Sequence, residues 1–374
     1  MADRLHSIDA MRIVAMGFVV MIHTDPFQGL STAGTAITFG IKTTGRFAVP
    51  FFFLASGYFF AVKTAGGDPA GYVRARARAL VSLYVFGLVL AAPTFLAGRL
   101  VRAALEDRSL ATTATESLVE FTDPVALLYY GTSVTTILWF LPALLGAFLL
   151  VSLFVRAGRT DVMLPVAAAF HLVGLAVGTY LVLEPPVDLQ IRDALFFGFF
   201  YTALGYTIRA RRWEPSAARG RLLAGLVGLF AVAQLAEFYL LGYPLRDEPF
   251  GASLYAPEYG VTTALLTTTL FLLLLARPQL GVDTALPSWG RYAAGIYVVH
   301  PAVFALIRAG RDVVEAMGYP ISETIIWHLL LTPTLFVASW LGYLAADRLR
   351  VIEIGGTHWP GGPWLRAMWS VGGD

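Results

Sequence analysis

The first apolar stretch of the chain, residues 8–27, contains a histidine and an arginine that could do chemistry inside a membrane. Arg12 and His23 are 11 residues apart, which on an α-helix is three turns plus roughly 20°, so the two side chains share one face. Asp9 lies near the same face and is expected to pair with Arg12 at i,i+3. An imidazole titrates near neutral pH and can activate a hydroxyl, whereas a guanidinium binds phosphate. The spacing therefore indicates a helix with a phosphate-binding cation at one end and a candidate base at the other.

Further ionisable groups interrupt later apolar stretches, where charges are costly and usually face the interior of a helical bundle. Lys42 and Arg46 precede Pro50, which is expected to free a backbone carbonyl and bend the helix, and Gly57 permits close packing of a neighbouring helix. Successive spans alternate in direction, so relative depth follows from the sequence. One set is expected in the same half of the bilayer as His23: Arg46, Trp139, Glu237, His300 and His328. The opposite side is expected to hold Arg12, Arg74, Arg76 and Arg78.

Most of these polar residues also have a purely structural interpretation. A single histidine inside a membrane often makes a hydrogen bond between helices, which we expect for His171 and His328 and leave open for His300. Glu237 is close to a helix end and could simply be solvated. Three arginines before the third span are explained first by the positive-inside rule, with anion binding as a second role: Arg74, Arg76 and Arg78.

The composition indicates that these residues lie in a chain surrounded by lipid. Of 374 residues, 57% are hydrophobic and only 14% are charged, and the mean hydropathy is +0.67, which excludes a disordered chain and argues against an ordinary soluble enzyme. The formal net charge of +2 gives no global field that would attract nucleic acid. The chain has no cysteine, so disulfides, zinc–thiolate sites and a cysteine nucleophile are excluded. The sequence predicts an integral, multi-pass protein of the cell membrane.

Hydrophobic stretches of roughly 17–25 residues predict membrane-spanning helices. We predict an all-α, polytopic helical bundle of about ten spans: 8–27, 37–62, 79–98, 133–155, 162–183, 193–208, 221–241, 259–276, 289–308 and 324–347. The segments on the side of the termini carry roughly twice as many basic residues as the opposite loops, so both termini are expected to be cytoplasmic. The membrane domain is predicted to cover residues 1–350, followed by a cytoplasmic or interfacial tail over 351–374. The loop 99–132 is expected to hold a short surface helix around 99–121.

Four segments resemble the acyltransferase-3 family of integral membrane acyltransferases, which includes bacterial O-antigen O-acetyltransferases. Ser7-Ile-Asp9-Ala-Met-Arg12 is similar to the family's opening, and Arg12 with His23 matches its Arg-x10-His motif. The other three matching segments are Arg46-Phe-Ala-Val-Pro50, Leu138-Trp139-Phe140-Leu141 and Gly295-Ile-Tyr297-Val-Val-His300-Pro301. The order and spacing of the segments hold over residues 7–350, which is essentially the whole chain.

The resemblance implies transfer of an acyl group, commonly acetyl, from cytoplasmic acyl-CoA to an extracytoplasmic acceptor. The acceptor would be a hydroxyl or amine, for example on a cell-surface or lipid-linked carbohydrate, as in O-acetylation of a surface polysaccharide. His23 is then the candidate general base or transient acyl carrier, and the sequence does not separate these two roles. Arg46 could stabilise the thioester oxyanion or hold the acceptor. No permanently bound cofactor and no metal are expected.

The remaining candidate residues are assigned to the two substrates. Arg12 and the arginines of the following inner loop suit the phosphates of CoA. That loop reads Arg74-Ala-Arg76-Ala-Arg78 and not the family's Arg-x-x-Arg, so which arginine binds CoA stays open. Aromatic rings could stack on a sugar or on the pantetheine arm, and polar groups in the outer half could contact the acceptor. These candidates are Trp139, Tyr58, Glu237 and His300.

A transporter or flippase for a small polar or lipid-linked solute is the alternative from another functional class. In such a protein the intramembrane histidine, arginine and glutamate side chains would form a coupled path. The sequence shows no inverted repeat and no matching pair of interrupted helices, which are typical of secondary transporters. The acyltransferase interpretation is therefore preferred.

Overall fold

A computed structural model describes residues 4–180, 190–251, 253–255 and 257–356, and within these ranges the chain is helical and contains no strand. The α-helices are α1 (His6–Thr24), α2 (Thr32–Gly45), α3 (Ala48–Thr64), α4 (Pro69–Leu105), α5 (Leu110–Phe121), α6 (Phe140–Arg156), α7 (Thr160–Leu175), α8 (Phe199–Ala210), α9 (Gly220–Gly242), α10 (Val261–Ala276), α11 (Leu286–Trp289), α12 (Ala293–Ala316) and α13 (Ile325–Arg348). Single π-helical turns follow α7 at Ala176–Tyr180 and precede α8 at Ala194–Gly198. The all-α prediction is confirmed for the described residues.

Seven helical stretches of the described chain are long and apolar enough to cross a membrane: His6–Thr24, Thr32–Thr64, Pro69–Leu105, Thr160–Tyr180, Ala217–Arg246, Leu286–Ala316 and Ile325–Arg348. Two of the other predicted spans are the shorter apolar helices Phe140–Arg156 and Val261–Ala276. The tenth, 193–208, combines a π-helical turn with α8. All ten predicted stretches are thus largely helical, and seven of them belong to helices of full membrane-spanning length.

The predicted boundaries differ from the structure in two places, and two further predictions extend beyond the described residues. The span predicted at 133–155 begins as a helix only at Phe140, because residues 133–139 form turns. The surface helix predicted around 99–121 is shorter, since α4 continues to Leu105 and α5 starts at Leu110. The end of the predicted span 162–183 and most of the predicted tail, residues 357–374, lie outside the described residues.

The chain folds as two compact units. The first consists of the residues up to Val73 together with Leu144–Gly290, and the second of Arg74–Ala143 and the residues from Arg291 onward. The first unit therefore holds α1–α3 and most of α6, followed by α7–α11, whereas the second holds most of α4 together with α5, α12 and α13. The sequence analysis predicted one membrane domain over 1–350 and did not anticipate this division.

The predicted span 37–62 is interrupted at Arg46 and Phe47, between α2 and α3. Pro50 is in the first turn of α3 and has no N–H, so it cannot donate the helical hydrogen bond to the carbonyl of Arg46. The neighbouring bonds are present: the Phe51 amide donates to the Phe47 carbonyl at 2.9 Å, and the Arg46 amide donates to the Thr43 carbonyl at 3.2 Å. The expected effect of Pro50 is confirmed, and it places Arg46 at a break in the helix.

Two glycines bring α3 and α8 into close contact within the first unit. A Cβ atom at Gly57 would overlap the backbone carbonyl of Thr202, and one at Gly205 would overlap the carbonyl of Leu54. Any larger residue at either position would force the helices apart, which is the usual reason for small residues at membrane helix interfaces. The predicted close packing at Gly57 is confirmed, and α3 is held firmly along its length.

In the second unit α12 packs along α13. Gly295 of α12 faces the ring of Tyr343 on α13 so closely that a side chain at residue 295 would overlap the ring. The Tyr343 hydroxyl donates to the Glu353 carbonyl at 3.0 Å and accepts from the Gly355 amide at 2.9 Å. These contacts fix the residues that follow α13 against the helix pair.

Candidate functional site

Five charged side chains, which we call the five-charge cluster, meet at one end of the first unit: Asp25, Lys42, Arg46, Arg192 and Glu258. One oxygen of Glu258 accepts from Arg46 Nη1 at 3.2 Å and the other accepts from Arg192 Nη1 at 2.7 Å. Lys42 forms an ion pair with Asp25. The Arg46 side chain is only 13% exposed, so this charge depends on its partners for compensation.

Glu258 lies in the segment between α9 and α10, outside the membrane-spanning helices. Burial alone would raise the pKa of its carboxyl, but the adjacent Arg46 and Arg192 outweigh that effect and hold the pKa below its ordinary value. The carboxylate is therefore ionised at neutral pH and bridges the two guanidinium groups. Neither Glu258 nor Arg192 was among the residues predicted from sequence to form the site.

His23 lies in the last turn of α1 and is half-buried. The helix ends at Asp25, whose φ of 46° is left-handed, a conformation that aspartate tolerates better than most residues. This turn places the Asp25 carboxylate, two residues after His23, against Lys42 of α2. His23, the candidate base, therefore lies two residues before Asp25, a member of the five-charge cluster.

Arg12 is near the other end of α1, about 16 Å from His23 along the helix axis. Its Nη1 donates to Asp9 Oδ1 at 3.1 Å, which confirms the predicted i,i+3 pair. Asp9 also accepts from Arg4 Nε at 2.8 Å. The Arg12 guanidinium lies over the ring of Phe59, with its central carbon 5.2 Å from the ring centroid. Its side chain is 31% exposed, so part of this cation is accessible to a ligand.

Tyr58 neighbours Phe59 on α3 and therefore belongs to the same end of the first unit as Arg12. Its hydroxyl donates to Glu214 Oε1 at 2.7 Å, and the same oxygen accepts from Arg209 Nη1 at 2.9 Å. Tyr58 is 12 residues beyond Arg46, a distance of about 18 Å along a helix. The sequence analysis offers a sugar or the pantetheine arm of CoA as the ligand of Tyr58. A position near Arg12 fits the pantetheine arm, because Arg12 is the predicted ligand of the CoA phosphates.

Glu237 of α9 binds the start of α10. Its carboxylate accepts from the backbone amides of Val261 and Thr262, each at 3.1 Å. The hydroxyls of Tyr180 and Thr262 also donate to it. A carboxylate is favourable at a helix N-terminus because it satisfies amides that have no partner within the helix. Glu237 thus anchors α10 directly after the segment that carries Glu258, and its predicted contact with substrate stays a prediction.

The second unit brings two of the predicted motifs together. Tyr297 donates its hydroxyl hydrogen to the Ile137 carbonyl and accepts from the Phe140 amide at 3.3 Å. The rings of Tyr297 and Phe140 meet edge to face at 5.5 Å. Trp139, between these two bonds, is buried and precedes α6 directly. Tyr297 is therefore a positioning residue for the Trp139 segment, a role that the sequence analysis did not assign.

His300 is completely buried in α12. Its Nδ1 lies 2.8 Å from the Tyr297 carbonyl and 3.2 Å from the Ile296 carbonyl. Because carbonyls only accept, Nδ1 must carry the hydrogen, and in the neutral imidazole Nε2 is then an acceptor. His300 shares α12 with Tyr297, and its predicted role toward substrate stays a prediction.

The two histidines expected to be structural have contacts of that kind. His171 is stacked between Phe200, at 4.4 Å between ring centroids, and Tyr259, at 5.1 Å. Its Nδ1 lies 3.0 Å from the Phe196 carbonyl. His328 Nε2 lies 2.9 Å from the Ser322 carbonyl. Both rings hold neighbouring segments in place.

Three predicted phosphate-binding arginines are exposed on the first turns of α4, in the second unit: Arg74, Arg76 and Arg78. On a helix, residues four apart lie on one face, whereas residues two apart point in nearly opposite directions. The helical spacing therefore allows Arg74 and Arg78 to bind one phosphate together and separates Arg76 from them. Residues three apart, as in the family's Arg-x-x-Arg, also lie on one face of a helix. The spacing of Arg74 and Arg78 therefore also places two arginines on one face.

Comparison with known proteins identifies the family. The chain is similar to a serine/alanine racemase of Enterococcus gallinarum, with 26% identity over 316 residues, which is 80% of this chain and 40% of that protein. This chain thus spans less than half the length of that relative. No solved structure matches. The sequence pattern of the acyltransferase-3 family, described as an acyltransferase domain, matches residues 5–344. With nearly its whole length matched by this domain, the chain belongs to the acyltransferase-3 family.

Proposed function

We propose that this protein transfers an acyl group, most simply acetyl, from cytoplasmic acyl-CoA to a hydroxyl or amine on an extracytoplasmic acceptor such as a cell-surface or lipid-linked carbohydrate. The observation that carries the proposal is α1 itself. One helix of an acyltransferase domain has a cation accessible to ligand at one end and a half-buried imidazole at the other. The two groups are about 16 Å apart, so the long arm of an acyl-CoA could bind at Arg12 and deliver its thioester toward His23.

The acyl donor would bind at the Arg12 end. The Arg12 side chain is 31% exposed, so part of its guanidinium can meet a ligand while Nη1 is paired with Asp9. The orientation predicted from the sequence places the first turns of α4 on the same side of the membrane, and there Arg74 and Arg78 share a face. Guanidinium groups bind phosphate bidentately. We therefore propose Arg12 as a ligand of the CoA phosphates, with Tyr58 beside the pantetheine arm. The sequence prediction that Arg74, Arg76 or Arg78 also binds phosphate stays a prediction.

His23 would act as a general base toward the acceptor or as a transient acyl carrier. As a general base, its neutral imidazole takes the proton of the acceptor hydroxyl while the oxygen attacks the thioester carbonyl, and CoA leaves as the thiolate that then receives a proton. As a carrier, the imidazole nitrogen itself attacks the thioester, and CoA leaves as the thiolate and takes the imidazole proton. The acceptor hydroxyl then attacks the acyl-imidazole, and its proton returns to the imidazole. Arg46, held by Glu258, would stabilise the oxyanion that forms in either route.

The acceptor would meet the acyl group at the His23 end. The five-charge cluster brings polar side chains from four separate segments to this end of the first unit. Stacking of Trp139 on a sugar acceptor stays a prediction from the sequence. Residues Trp139 and His300 are assigned to the acceptor on the basis of family resemblance and predicted depth.

The deciding test is turnover of acetyl-CoA by purified protein in nanodiscs, with membrane extracts as the source of acceptor. We expect thioester consumption that requires acceptor, and a loss of about 10²–10⁴-fold for His23→Ala. The matched control is His6→Ala, which removes a histidine from the same helix but from another face. Both variants should give the same elution profile and melting temperature as the unchanged protein.

Three outcomes would contradict the proposal. Unchanged turnover in His23→Ala would remove His23 from the mechanism. Equal losses in His23→Ala and His6→Ala would point to damage of α1 rather than to lost chemistry. Movement of a solute across sealed liposomes with no consumption of thioester would identify a transporter or flippase instead.

A further inference from the structure

Helix α9 carries two polar side chains, Gln234 and Glu237, that the proposed reaction does not use. They are three residues apart, so they lie on one face of the helix. Gln234 is 0% exposed, and a glutamine buried in an apolar helix needs an explanation, because burying an amide is costly unless it is hydrogen-bonded. The contacts of these two side chains lead to the two halves of the ion pair between Arg46 and Glu258.

Gln234 bonds the last turn of α2. Its Nε2 donates to the carbonyl of Thr43, three residues before Arg46, and the Arg46 amide donates to the same carbonyl at 3.2 Å. The last carbonyls of a helix have no partner in a following helical turn and take one from another group. At the end of α2, which stops at Gly45, a side chain from α9 supplies such a donor. Gln234 therefore fixes the backbone from which the Arg46 side chain extends.

The same break between α2 and α3 also contacts α1. A Cβ atom at Gly45 would lie 2.9 Å from Ile22 Cδ1, which is closer than side chains pack. The ring of Phe47 meets that of Phe18 edge to face at 5.3 Å. Ile22 directly precedes His23. The break is thus held by α1 as well as α9, so a shift of the α2 end would change how the Arg46 backbone lies relative to α1.

Glu237 bonds the segment that carries Glu258. Its carboxylate accepts from the first two amides of α10. Gly260 makes this approach possible, since a Cβ atom there would lie 2.8 Å from both carboxylate oxygens. The carbonyl of Tyr259 accepts from the Thr179 hydroxyl at 2.7 Å. The residues that follow Glu258 are therefore fixed, and Glu237 supplies two of the bonds that fix them.

We propose that Gln234 and Glu237 are positioning residues for acyl transfer, which together hold the Arg46 guanidinium against the Glu258 carboxylate. This inference rests on the proposed function, in which Arg46 stabilises the oxyanion, and such a donor must be held within about 0.5 Å. Stability alone does not explain Gln234. Its Oε1 has no hydrogen-bond partner in the part of the chain that the structure describes, and an apolar side chain of the same size would avoid that cost.

The first test measures the coupling between Arg46 and Glu258 without using activity. The melting temperature of the full-length protein in detergent is measured for Arg46→Gln, Glu258→Gln and the double variant, in the unchanged chain and in a Gln234→Met background. The non-additive part of the shifts reports the ion pair, and we expect it to fall at least twofold in Gln234→Met. Effects of Gln234→Met on overall folding are present in every member of that cycle and cancel.

Two further backgrounds complete this test. Glu237→Gln leaves one acceptor oxygen for the four donors that meet the carboxylate, and the same fall in coupling is expected there. Thr207→Val is the matched control, because it removes a buried hydroxyl of the first unit that donates within its own helix. The coupling should be unchanged in Thr207→Val. A coupling that is equal in all four backgrounds would overturn the proposal.

The second test is the kinetics of acetyl-CoA turnover. Gln234→Met should lower kcat about tenfold and change KM for acetyl-CoA less than twofold, because the donor binds at the Arg12 end. Its melting temperature should stay within about 4 °C of that of the unchanged protein. Glu237→Gln should lower kcat in the same way with KM for the acceptor unchanged. A rise in KM for the acceptor alone would identify Glu237 as an acceptor ligand and overturn its positioning role.

The two tests separate this inference from the proposed function. If the unchanged protein consumes no acetyl-CoA, the proposed function fails, and the coupling of the melting temperatures still decides whether α9 positions the ion pair. If turnover is normal and the coupling persists in Gln234→Met and Glu237→Gln, the proposed function stands and the positioning role is wrong.

Discussion

The charged side chains at the two ends of the first unit differ in how they are paired and how far they are exposed. At the His23 end, three cations and two carboxylates from four segments pair with one another, and Arg46 is almost buried. At the other end, Arg12 pairs with a neighbour on its own helix, lies over an aromatic ring and stays 31% exposed. The first arrangement joins side chains from four segments, whereas the contacts described for Arg12 come from Asp9 of the same helix and from Phe59 of α3.

This difference corresponds to two kinds of task. A group that must stabilise a transition state has to be held still, because catalysis depends on donors fixed where charge develops. A group that binds a mobile, highly charged substrate must keep free donors and exchange water for phosphate quickly. We infer that the five-charge cluster supports the chemistry and that the Arg12 end captures the donor.

The largest expected effect follows from breaking the five-charge cluster at Glu258. In Glu258→Gln, Arg46 and Arg192 remain close together without the carboxylate that bridges them. Removing one partner of a buried ion pair leaves an uncompensated charge, and with Glu258 41% exposed we expect a cost of about 2 kcal/mol in free energy of unfolding. The measurement is the melting temperature of the purified protein, together with acyl-CoA turnover, which should fall in parallel.

A double-mutant cycle separates this pair from general damage. Arg46→Gln, Glu258→Gln and the double variant should show a coupling of about 1–3 kcal/mol. Additive losses would mean that the 3.2 Å contact between these two side chains contributes nothing. Arg246→Gln, which alters an arginine between α9 and α10 of the first unit, serves as the control for loss of a single charge.

Acid should remove the same interaction without any mutation. The folded-state pKa of Glu258 is below the ordinary value of 4.5, so the carboxylate contributes stability above that value and loses it as pH falls through the folded pKa. The melting temperature of the unchanged protein should therefore exceed that of Glu258→Gln by a constant margin from pH 8 to 5. The margin should shrink at lower pH. A margin that does not shrink at any pH below 4.5 would contradict the assignment.

At the other end, Arg12→Gln tests donor capture. A hydrogen-bonded contact to phosphate made equally in the bound substrate and the transition state affects binding alone. We therefore expect KM for acetyl-CoA to rise about tenfold with kcat changed less than twofold. Asp9→Asn is the companion variant, since it keeps Arg12 and removes its partner. A fall in kcat with unchanged KM would place Arg12 in the chemical step. It would contradict the inference that the Arg12 end binds the donor while the five-charge cluster supports the chemistry.

The sequence predicted the parts of this fold that depend on local periodicity. The helical positions, the Asp9–Arg12 pair and the effect of Pro50 all follow from residues within a few turns of one another. The close contact at Gly57 follows from residue size alone. The alternating direction of successive spans also predicted His23 and Arg46 in one half of the bilayer, and in the structure Asp25, two residues after His23, pairs with Lys42, four residues before Arg46.

The parts that could not be predicted depend on long-range contacts or on turns within apolar sequence. Glu258 and Arg46 are separated by 212 residues, and a single carboxylate before an apolar span has no recognisable pattern. Residues 133–139 begin a predicted span yet form bends and turns, and the Tyr297 hydroxyl bonds the backbone on both sides of Trp139. Such a contact is set by tertiary packing and leaves no periodic signal.

The smallest expected effect is that of a substitution at Tyr58, an uncharged residue at the Arg12 end of the first unit. Tyr58→Phe removes the hydroxyl that donates to Glu214 but keeps the ring that packs on Phe271 at 5.6 Å. Glu214 retains Arg209 as a partner, so the loss should be about 1 kcal/mol in stability. If Tyr58 also contacts the pantetheine arm, KM for acetyl-CoA should rise two- to threefold while KM for the acceptor stays constant. A change in KM for the acceptor alone would assign Tyr58 to the acceptor near the five-charge cluster. That result would contradict the position of Tyr58, 12 residues beyond Arg46.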